Sequence, residues 1–230
     1  MTPGIAQAVY LASTWIIPVL LAVTLHEAAH GWMAWTLGDP TAKALGRVSF
    51  NPFRHIHPVG TVLLPAALVL ASAPFLFGWA KPVPVNIARL HDPRRGMVLV
   101  ALAGPAANIV LAFVSALLLH GVVYLPIDAA SWAASNISHS ITLNVILAVF
   151  NMLPLPPLDG GRVAVGLLPR ALAAPLARLE RYGMLILVAL IFGLPFVGRQ
   201  IGLRFDPFAW LVTGPVNTVT ELIAIAAGIH

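Results

Sequence analysis

Two histidines and a glutamate stand inside an apolar stretch near the start of the chain, LAVTLHEAAHGWMAW at residues 21–35. His26 and His30 are four residues apart, so on a helix both imidazoles project from one face and can reach a single metal ion. Glu27 lies about 100° around that helix from His26, where it can accept a proton from a water molecule bound to the metal. In this H-E-x-x-H pattern the metal acidifies water and the glutamate acts as general base.

A catalytic zinc ion usually has three protein ligands, and the sequence offers few candidates for the third. The chain contains no cysteine and only eight acidic residues. Asp159 stands apart because it follows a proline-rich break in an apolar region, where broken backbone must face protein or a water-filled cavity. We therefore expect Asp159 to complete the site, with Gly160 and Gly161 allowing close approach of a second segment. Its alternative role is to cap the helix that follows.

The composition of the chain indicates that membrane-spanning segments position these residues. The chain is 59% hydrophobic and 9% charged, with a mean hydropathy of +0.90. A typical soluble domain is about 25% charged, so this chain has too few charges to cover a water-facing surface. Its long apolar runs lack the alternation of barrel strands, which predicts an all-α polytopic helical bundle. We attribute the net charge of +5 to cytoplasmic loops and expect no nucleic acid partner.

The predicted topology follows from six apolar segments, at residues 5–36, 61–78, 97–120, 137–157, 182–198 and 207–228. A spanning helix needs about 20 residues, and the second segment is short and carries two prolines. The loops at 37–60 and 79–96 are both rich in Lys and Arg, which places both in the cytoplasm. We therefore predict five full spans and a re-entrant segment at 61–78. The N-terminus is expected outside the inner or plasma membrane, with the active site toward the cytoplasmic side.

The chain shows no internal repeat and no polar linker long enough to separate a second soluble domain. We predict a single domain over residues 1–230, with a core of about 5–168 and accessory C-terminal helices at about 169–230.

Two motifs together resemble the site-2 protease family, the intramembrane zinc metalloproteases of peptidase family M50. They are HEAAH at residues 26–30 and N-x-x-P-x-P-x-L-D-G-G at 151–161. Three further stretches are similar to the family: GRVSFNPFRHIHPVGT (46–61) to a membrane-associated β-strand region, FGWAKPVPVN (77–86) to the next strand, and ALAGPAANIVLA (101–112) to the start of a core helix. The resemblance runs from about residue 20 to 168, and it is to the compact type that lacks a PDZ domain.

The resemblance implies one zinc ion per chain, bound by His26, His30 and Asp159, with Glu27 as the catalytic residue. It also suggests that Asn151 and Asn108 contact the substrate or steady the oxyanion that forms on the scissile carbonyl. In this sequence His57 stands where an aspartate is common in the family. We expect His55 and His57 to serve a loop or gate rather than to bind metal.

The expected function is zinc-dependent hydrolysis of a peptide bond within or near the transmembrane helix of a membrane protein. The substrate is expected to be a single-span protein or a signal-peptide remnant. The absence of a PDZ domain allows for a PDZ-bearing or regulatory membrane partner. Two alternatives are a metal-ion transporter, with the same ligands at a helix break, and an inactive scaffold that binds transmembrane helices. The absence of a visible repeat disfavours transport, and an intact Glu27 disfavours the scaffold.

Overall fold

The structure, a computed structural model, describes residues 4–64, 67, 78–200, 202 and 207–229. The α-helices are α1 (Ile5–Thr36), α2 (Thr41–Ala44), α3 (Pro93–Leu119), α4 (Ile127–Asn151), α5 (Asp159–Leu167), α6 (Arg170–Arg178), α7 (Gly183–Val188), α8 (Leu194–Gln200) and α9 (Pro207–Ala226). Shorter 3₁₀ turns cover Pro52–Arg54, Ile87–Arg89, Val122–Tyr124 and Leu179–Tyr182, and π-helical turns cover Pro58–Leu63 and Ala189–Gly193.

Within the described residues, five helical segments are long and apolar enough to cross a membrane: Val9–Thr36, Pro93–Tyr124, Ile127–Asn151, Arg170–Gln200 and Ala209–Ala226. They coincide with the five full spans predicted from sequence, and the all-α polytopic fold is confirmed. The fourth segment is built from α6, α7 and α8 with 3₁₀ and π turns between them. Most of the predicted re-entrant segment, 61–78, lies outside the described residues.

The small β-strand region expected around 46–61 and 77–86 does not form a strand anywhere in the described part of the chain. Pro82 and Pro84 each lack the N–H that a strand ladder requires. The side chains of Val48 and Val83 instead face Gly31 of α1, and a methyl group there would lie 3.1 and 3.2 Å from them. Both segments therefore pack against α1 through these side chains. Between their described residues, only isolated backbone hydrogen bonds join them, from the Lys81 N–H to the His55 carbonyl and from the Trp79 N–H to the Gly60 carbonyl.

Helices α1, α3 and α4 pack against one another, and α5 packs on α3. Small residues line part of this packing: Ala112 and Ala116 of α3 are buried with Val145 of α4 and with Ile223 of α9. Small side chains let membrane helices approach closely, which favours tight packing of α3 against α4 and α9. HEAAH lies on α1 and Asp159 at the start of α5, and both helices pack on α3.

The end of α1 is fixed by a Schellman motif. Gly38 has a φ of +107°, and its N–H donates to the Trp35 carbonyl, while the Asp39 N–H donates to the Ala34 carbonyl. A left-handed residue at this point is favourable mainly for glycine. The motif ends α1 at Thr36 and turns the chain back, so that later segments pack against α1 near Glu27 and Gly31.

Candidate metal centre

The two histidines of α1 and the aspartate that begins α5 meet at one point inside the helical bundle. The distance from Asp159 Oδ2 is 3.2 Å to His26 Nε2 and 3.3 Å to His30 Nε2, and the two Nε2 atoms are 3.0 Å apart. All three side chains are buried. Among the described residues, they form the one cluster of His, Asp or Glu groups arranged to hold a metal ion.

Asp159 reaches this point because the break after α4 is tightly folded. Gly160 and Gly161 press on the backbone of that break: a methyl group on Gly160 would overlap the Met152 carbonyl, and one on Gly161 would overlap Pro156. The close approach that we expected these glycines to allow is therefore made by the proline-rich loop of residues 152–158. With the loop packed beneath it, the first turn of α5 points the Asp159 carboxylate at α1.

A third helix closes the cluster at Gly104 of α3. A methyl group at this position would overlap Nε2 of His30 and Cε1 of His26. Glycine is therefore required here because the backbone of α3 lies directly against the imidazole rings. Pro105 follows inside the same helix, within the stretch that resembles the family's core helix.

The donor set fits a zinc ion. His30 Nδ1 lies 2.7 Å from the Val100 carbonyl, which can only accept, so this nitrogen carries the proton and Nε2 offers its lone pair to the cluster. The Oδ2 atom of Asp159 is buried and has no hydrogen-bond partner. A buried carboxylate oxygen without a donor is costly. A cation shared by these two nitrogens and this oxygen removes that cost, and two imidazoles with one carboxylate form a known ligand set of catalytic zinc.

Glu27 lies beside the cluster without joining it. Its Oε2 atom accepts a hydrogen bond of 2.8 Å from the backbone N–H of Val83. Val83 lies between two prolines, so its N–H is the single donor of the tripeptide, and it is directed at Glu27. The segment at 81–86 therefore holds one carboxylate oxygen of Glu27 in place.

Two buried charged side chains hold that segment. Arg47 is buried, and its guanidinium donates to the backbone carbonyls of Lys81 and Pro82. Asp39 is fully buried, and its Oδ2 atom accepts a hydrogen bond of 2.6 Å from the Asn86 N–H. The extended segment is thus tethered on both sides of Val83.

The Asp39 carboxyl also accepts hydrogen bonds from the backbone N–H and the hydroxyl of Thr41. Burial raises the pKa of Asp39, but the hydrogen bonds from Thr41 and Asn86 and the charge of Arg89 outweigh it. The net effect is a pKa below the usual range of an aspartate, which means that Asp39 is held in its charged form.

The two asparagines predicted to contact substrate differ in their surroundings. Asn108 is fully buried on α3, and its Oδ1 atom lies 2.6 Å from His26 Nδ1. Asn151 is partly buried at the end of α4, and its Nδ2 donates to the Leu147 carbonyl at 3.0 Å. Asn108 therefore touches a proposed metal ligand, while Asn151 borders the break that leads to Asp159.

His55 and His57 lie outside the cluster. His55 is buried, and its Nε2 lies 3.0 Å from the Ser49 carbonyl, while its own carbonyl accepts from the Lys81 N–H. His57 Nδ1 accepts a hydrogen bond of 3.0 Å from the Gly60 N–H and caps the π-helical turn. The side-chain contacts of both histidines lie within the loop at 46–60, and the His55 carbonyl joins this loop to Lys81. A loop or gate role for them stays a prediction.

The fold and the cluster define a class of protein: a multi-pass helical membrane protein that combines an H-E-x-x-H pair with a distant aspartate. The sequence model described as Peptidase family M50 matches residues 121–194, which include Asp159. YwhC of Bacillus subtilis (strain 168), named as a zinc metalloprotease, is 39% identical over 179 residues, covering 76% of this chain and 78% of YwhC. Rip2 of Mycolicibacterium smegmatis, also named as a zinc metalloprotease, is 35% identical over 173 residues, covering 75% of this chain and 64% of Rip2. No solved structure matches the chain.

The chain therefore belongs to peptidase family M50. It is a zinc metallopeptidase of the site-2 protease type, embedded in a membrane by several apolar helices, as the sequence analysis predicted.

Several residues around the site escaped the sequence analysis. Gly104 and the Val83 N–H act through backbone atoms, and Arg47 acts on backbone carbonyls, so none of these contacts can be read from residue type. Asn144 is different. Its Oδ1 atom accepts a hydrogen bond of 2.7 Å from Asn108 Nδ2, and Asn136, Ser140 and Asn144 recur every four residues within one apolar span. Polar side chains on one face of a membrane helix usually face the bundle interior, and this stripe was a readable signal.

Proposed function

We propose that this protein is an intramembrane protease that cleaves a peptide bond within or near the transmembrane helix of another membrane protein. The observation that carries the proposal is the position of the ligand cluster, which is buried among α1, α3 and α5 within the apolar part of the bundle. Glu27 stands on the same helix as the two histidines. A hydrolytic site at this depth suits substrates that share the membrane.

Each side chain then has a defined task. When held by His26, His30 and Asp159, zinc would act as a Lewis acid and make water a stronger acid. Glu27 accepts the proton of the attacking water and later donates it to the leaving amine. The hydrogen bond from Val83 to Oε2 orients the carboxylate, which leaves Oε1 for the proton. For the oxyanion, we propose Asn151 as the amide donor, because the NH₂ group of Asn108 already faces the Ala22 carbonyl and Asn144 Oδ1.

A groove on the side of the bundle can receive the substrate helix. It is an apolar cavity of about 590 Å³ lined by α1, α3 and residues 48–50. Its lining includes Ala28, Ala29 and Ala107, and small side chains allow close helix approach. Apart from Ser49, every lining residue is apolar, which suits a helix that arrives from lipid.

A transmembrane helix must unwind before its peptide bonds can be hydrolysed, because its carbonyls and amides are paired internally. We propose that the segment 46–50 pairs with the unwound strand and replaces the lost hydrogen bonds. Val48 touches α1 at Gly31 and also borders the groove, so the segment links the groove to the metal motif. The competing segment, 81–86, is less suitable because the N–H of Val83 is directed inward at Glu27.

The proposed substrates are single-span membrane proteins, cut in regulated proteolysis, or leftover signal peptides. The proposed location is the inner or plasma membrane, with the N-terminus outside and the site toward the cytoplasm. This orientation is supported by the basic loop after α1, where the Lys43 ammonium lies 3.3 Å from the centre of the Trp35 ring. A PDZ-bearing or regulatory membrane partner is part of the proposal and would deliver the substrate.

Co-expression with a tagged single-span substrate tests this function. The wild-type protein should release a shortened product, whereas Glu27→Gln should bind zinc and leave the substrate intact. Metal uptake into cells that is unaffected by Glu27→Gln would favour the transporter. Stable binding of the substrate by both proteins, with no cleavage by either, would favour the scaffold. Either result contradicts the protease.

A further inference from the structure

The imidazole of His26 is held by a chain of buried hydrogen bonds that crosses three helices. His26 Nδ1 lies 2.6 Å from Asn108 Oδ1, and Asn108 Nδ2 donates to Asn144 Oδ1 at 2.7 Å. Asn144 Nδ2 in turn donates to the Ser140 carbonyl at 2.8 Å. Both asparagine side chains are fully buried. No step of hydrolysis proposed above uses Asn144.

Two backbone carbonyls decide which way this chain runs, because a carbonyl can only accept a hydrogen bond. The Ser140 carbonyl requires the NH₂ end of Asn144, so the oxygen of Asn144 faces Asn108. The Ala22 carbonyl lies 3.3 Å from Asn108 Nδ2 and requires the NH₂ end of Asn108 as well. The oxygen of Asn108 must then face His26, so His26 Nδ1 carries the proton.

This arrangement has a direct consequence for metal binding. A neutral imidazole has one protonated and one free nitrogen. With the proton on Nδ1, the lone pair of His26 Nε2 is directed at His30 and Asp159. If Asn108 were reversed, its NH₂ end would face Nδ1, the proton would move to Nε2, and His26 could not bind the metal there.

We propose that Asn108 and Asn144 are positioning residues that fix the His26 tautomer in which Nε2 is free for zinc. His30 needs no such device, because its Nδ1 donates directly to the Val100 carbonyl. Asn144 acts indirectly. It touches neither histidine, but its Oδ1 atom accepts from Asn108 Nδ2 and so prevents the Asn108 amide from reversing. The inference rests on the zinc site proposed above.

Replacement of Asn108 by two side chains of similar shape tests the first link. Asn108→Asp keeps an oxygen acceptor for His26, whereas Asn108→Leu does not, and both lose the hydrogen bonds to Ala22 and Asn144. Zinc affinity is measured by competition with a chelator in a Glu27→Gln background. We expect Asn108→Leu to lower the affinity about 10–100-fold and Asn108→Asp to stay close to the parent. Equal losses in the two variants would mean a merely structural role and would overturn the inference.

Asn144→Leu tests the hydrogen bond between Asn108 and Asn144. It also tests the proposal if the Asn108→Leu protein does not fold. We expect weaker zinc binding and, in the zinc-loaded protein, loss from the NMR spectrum of the hydrogen-bonded Nδ1–H signal of His26. Ser115→Ala is the control, because it removes a buried hydrogen bond to Ser140 Oγ but leaves the Ser140 carbonyl and the amide chain in place. An Asn144→Leu protein with unchanged zinc affinity and an unchanged His26 Nδ1–H signal in the zinc-loaded form contradicts the proposal. If the parent protein itself bound no zinc, the metal centre would be wrong, which is a separate failure.

Discussion

The Oδ2 atom of Asp159 lies 3.2 Å from Nε2 of His26, although the two residues belong to motifs that are far apart in the sequence. The contact forms because a proline-rich break after α4 folds under α5 and aims its first residue at α1. Together with His30, these two residues form the cluster that we propose as the ligand set of a catalytic zinc ion.

Gly104→Ala should abolish zinc binding. The added methyl group would occupy the space of the His26 and His30 rings, which the backbone of α3 touches directly. Metal analysis of the purified protein should show a fall from one zinc ion per chain to almost none. Gly214→Ala is the matched control, since nothing lies within 4 Å of a methyl group at that position in α9. A Gly104→Ala protein with full zinc content would show that the two helices are not packed as described.

Val83→Pro should slow catalysis without loss of zinc. The substitution removes the N–H that donates to Glu27, and one hydrogen bond to a charged group contributes about 1.5–3 kcal/mol. A loss of that size in the transition state corresponds to a decrease in kcat of at least about tenfold. Val83→Ala retains the N–H and serves as the control. Unchanged kcat in Val83→Pro would refute the role of this segment in orienting Glu27.

Val48→Pro should reduce cleavage of a membrane substrate while zinc content stays at the wild-type level. Proline removes the backbone donor that we propose for pairing with the unwound substrate. Val48→Thr, which keeps the backbone donor and the shape of the side chain, should cleave normally. Equal activity of the two variants in a gel-based cleavage assay would exclude the segment 46–50 as the pairing edge.

Asp39→Asn should destabilise the protein by about 2 kcal/mol near neutral pH, because the charged carboxylate accepts hydrogen bonds from Thr41 and Asn86. The sign of its pH dependence follows from the lowered pKa of Asp39. The carboxylate contributes its full stability above the unfolded pKa of about 3.9, and this contribution is lost as the pH falls through the lower folded value. Thermal unfolding of both proteins from pH 7 to pH 3 should show the difference between them shrinking at the acid end. A constant difference would contradict the assignment.

The parts of the molecule that were predictable from sequence are those in which side-chain type carries the information. Histidines spaced by four on a helix, a lone aspartate at a proline break and long apolar runs were each readable. They gave the five spans and the residues that the structure brings together. The predicted strand region was misjudged because alternating prolines remove the donors needed for a ladder, so the segment at 81–86 is fixed by Arg47 and Asp39 instead.

Contacts made through backbone atoms were beyond the reach of residue patterns. The role of Gly104 depends on the distance between α1 and α3, and that of Val83 on where an extended segment lies. Asn108 illustrates an intermediate case. The family resemblance suggested it as a contact of the substrate or the oxyanion, but only the positions of Ala22 and Asn144 show which end of its amide faces His26.

The most direct test of the central claim is the zinc content of purified wild-type, Glu27→Gln and Asp159→Ala proteins. Wild-type and Glu27→Gln proteins should each contain one zinc ion per chain, because both retain His26, His30 and Asp159. The Asp159→Ala protein should contain almost none, because two imidazoles alone do not hold a catalytic zinc ion. Full zinc content in folded Asp159→Ala protein would contradict the account.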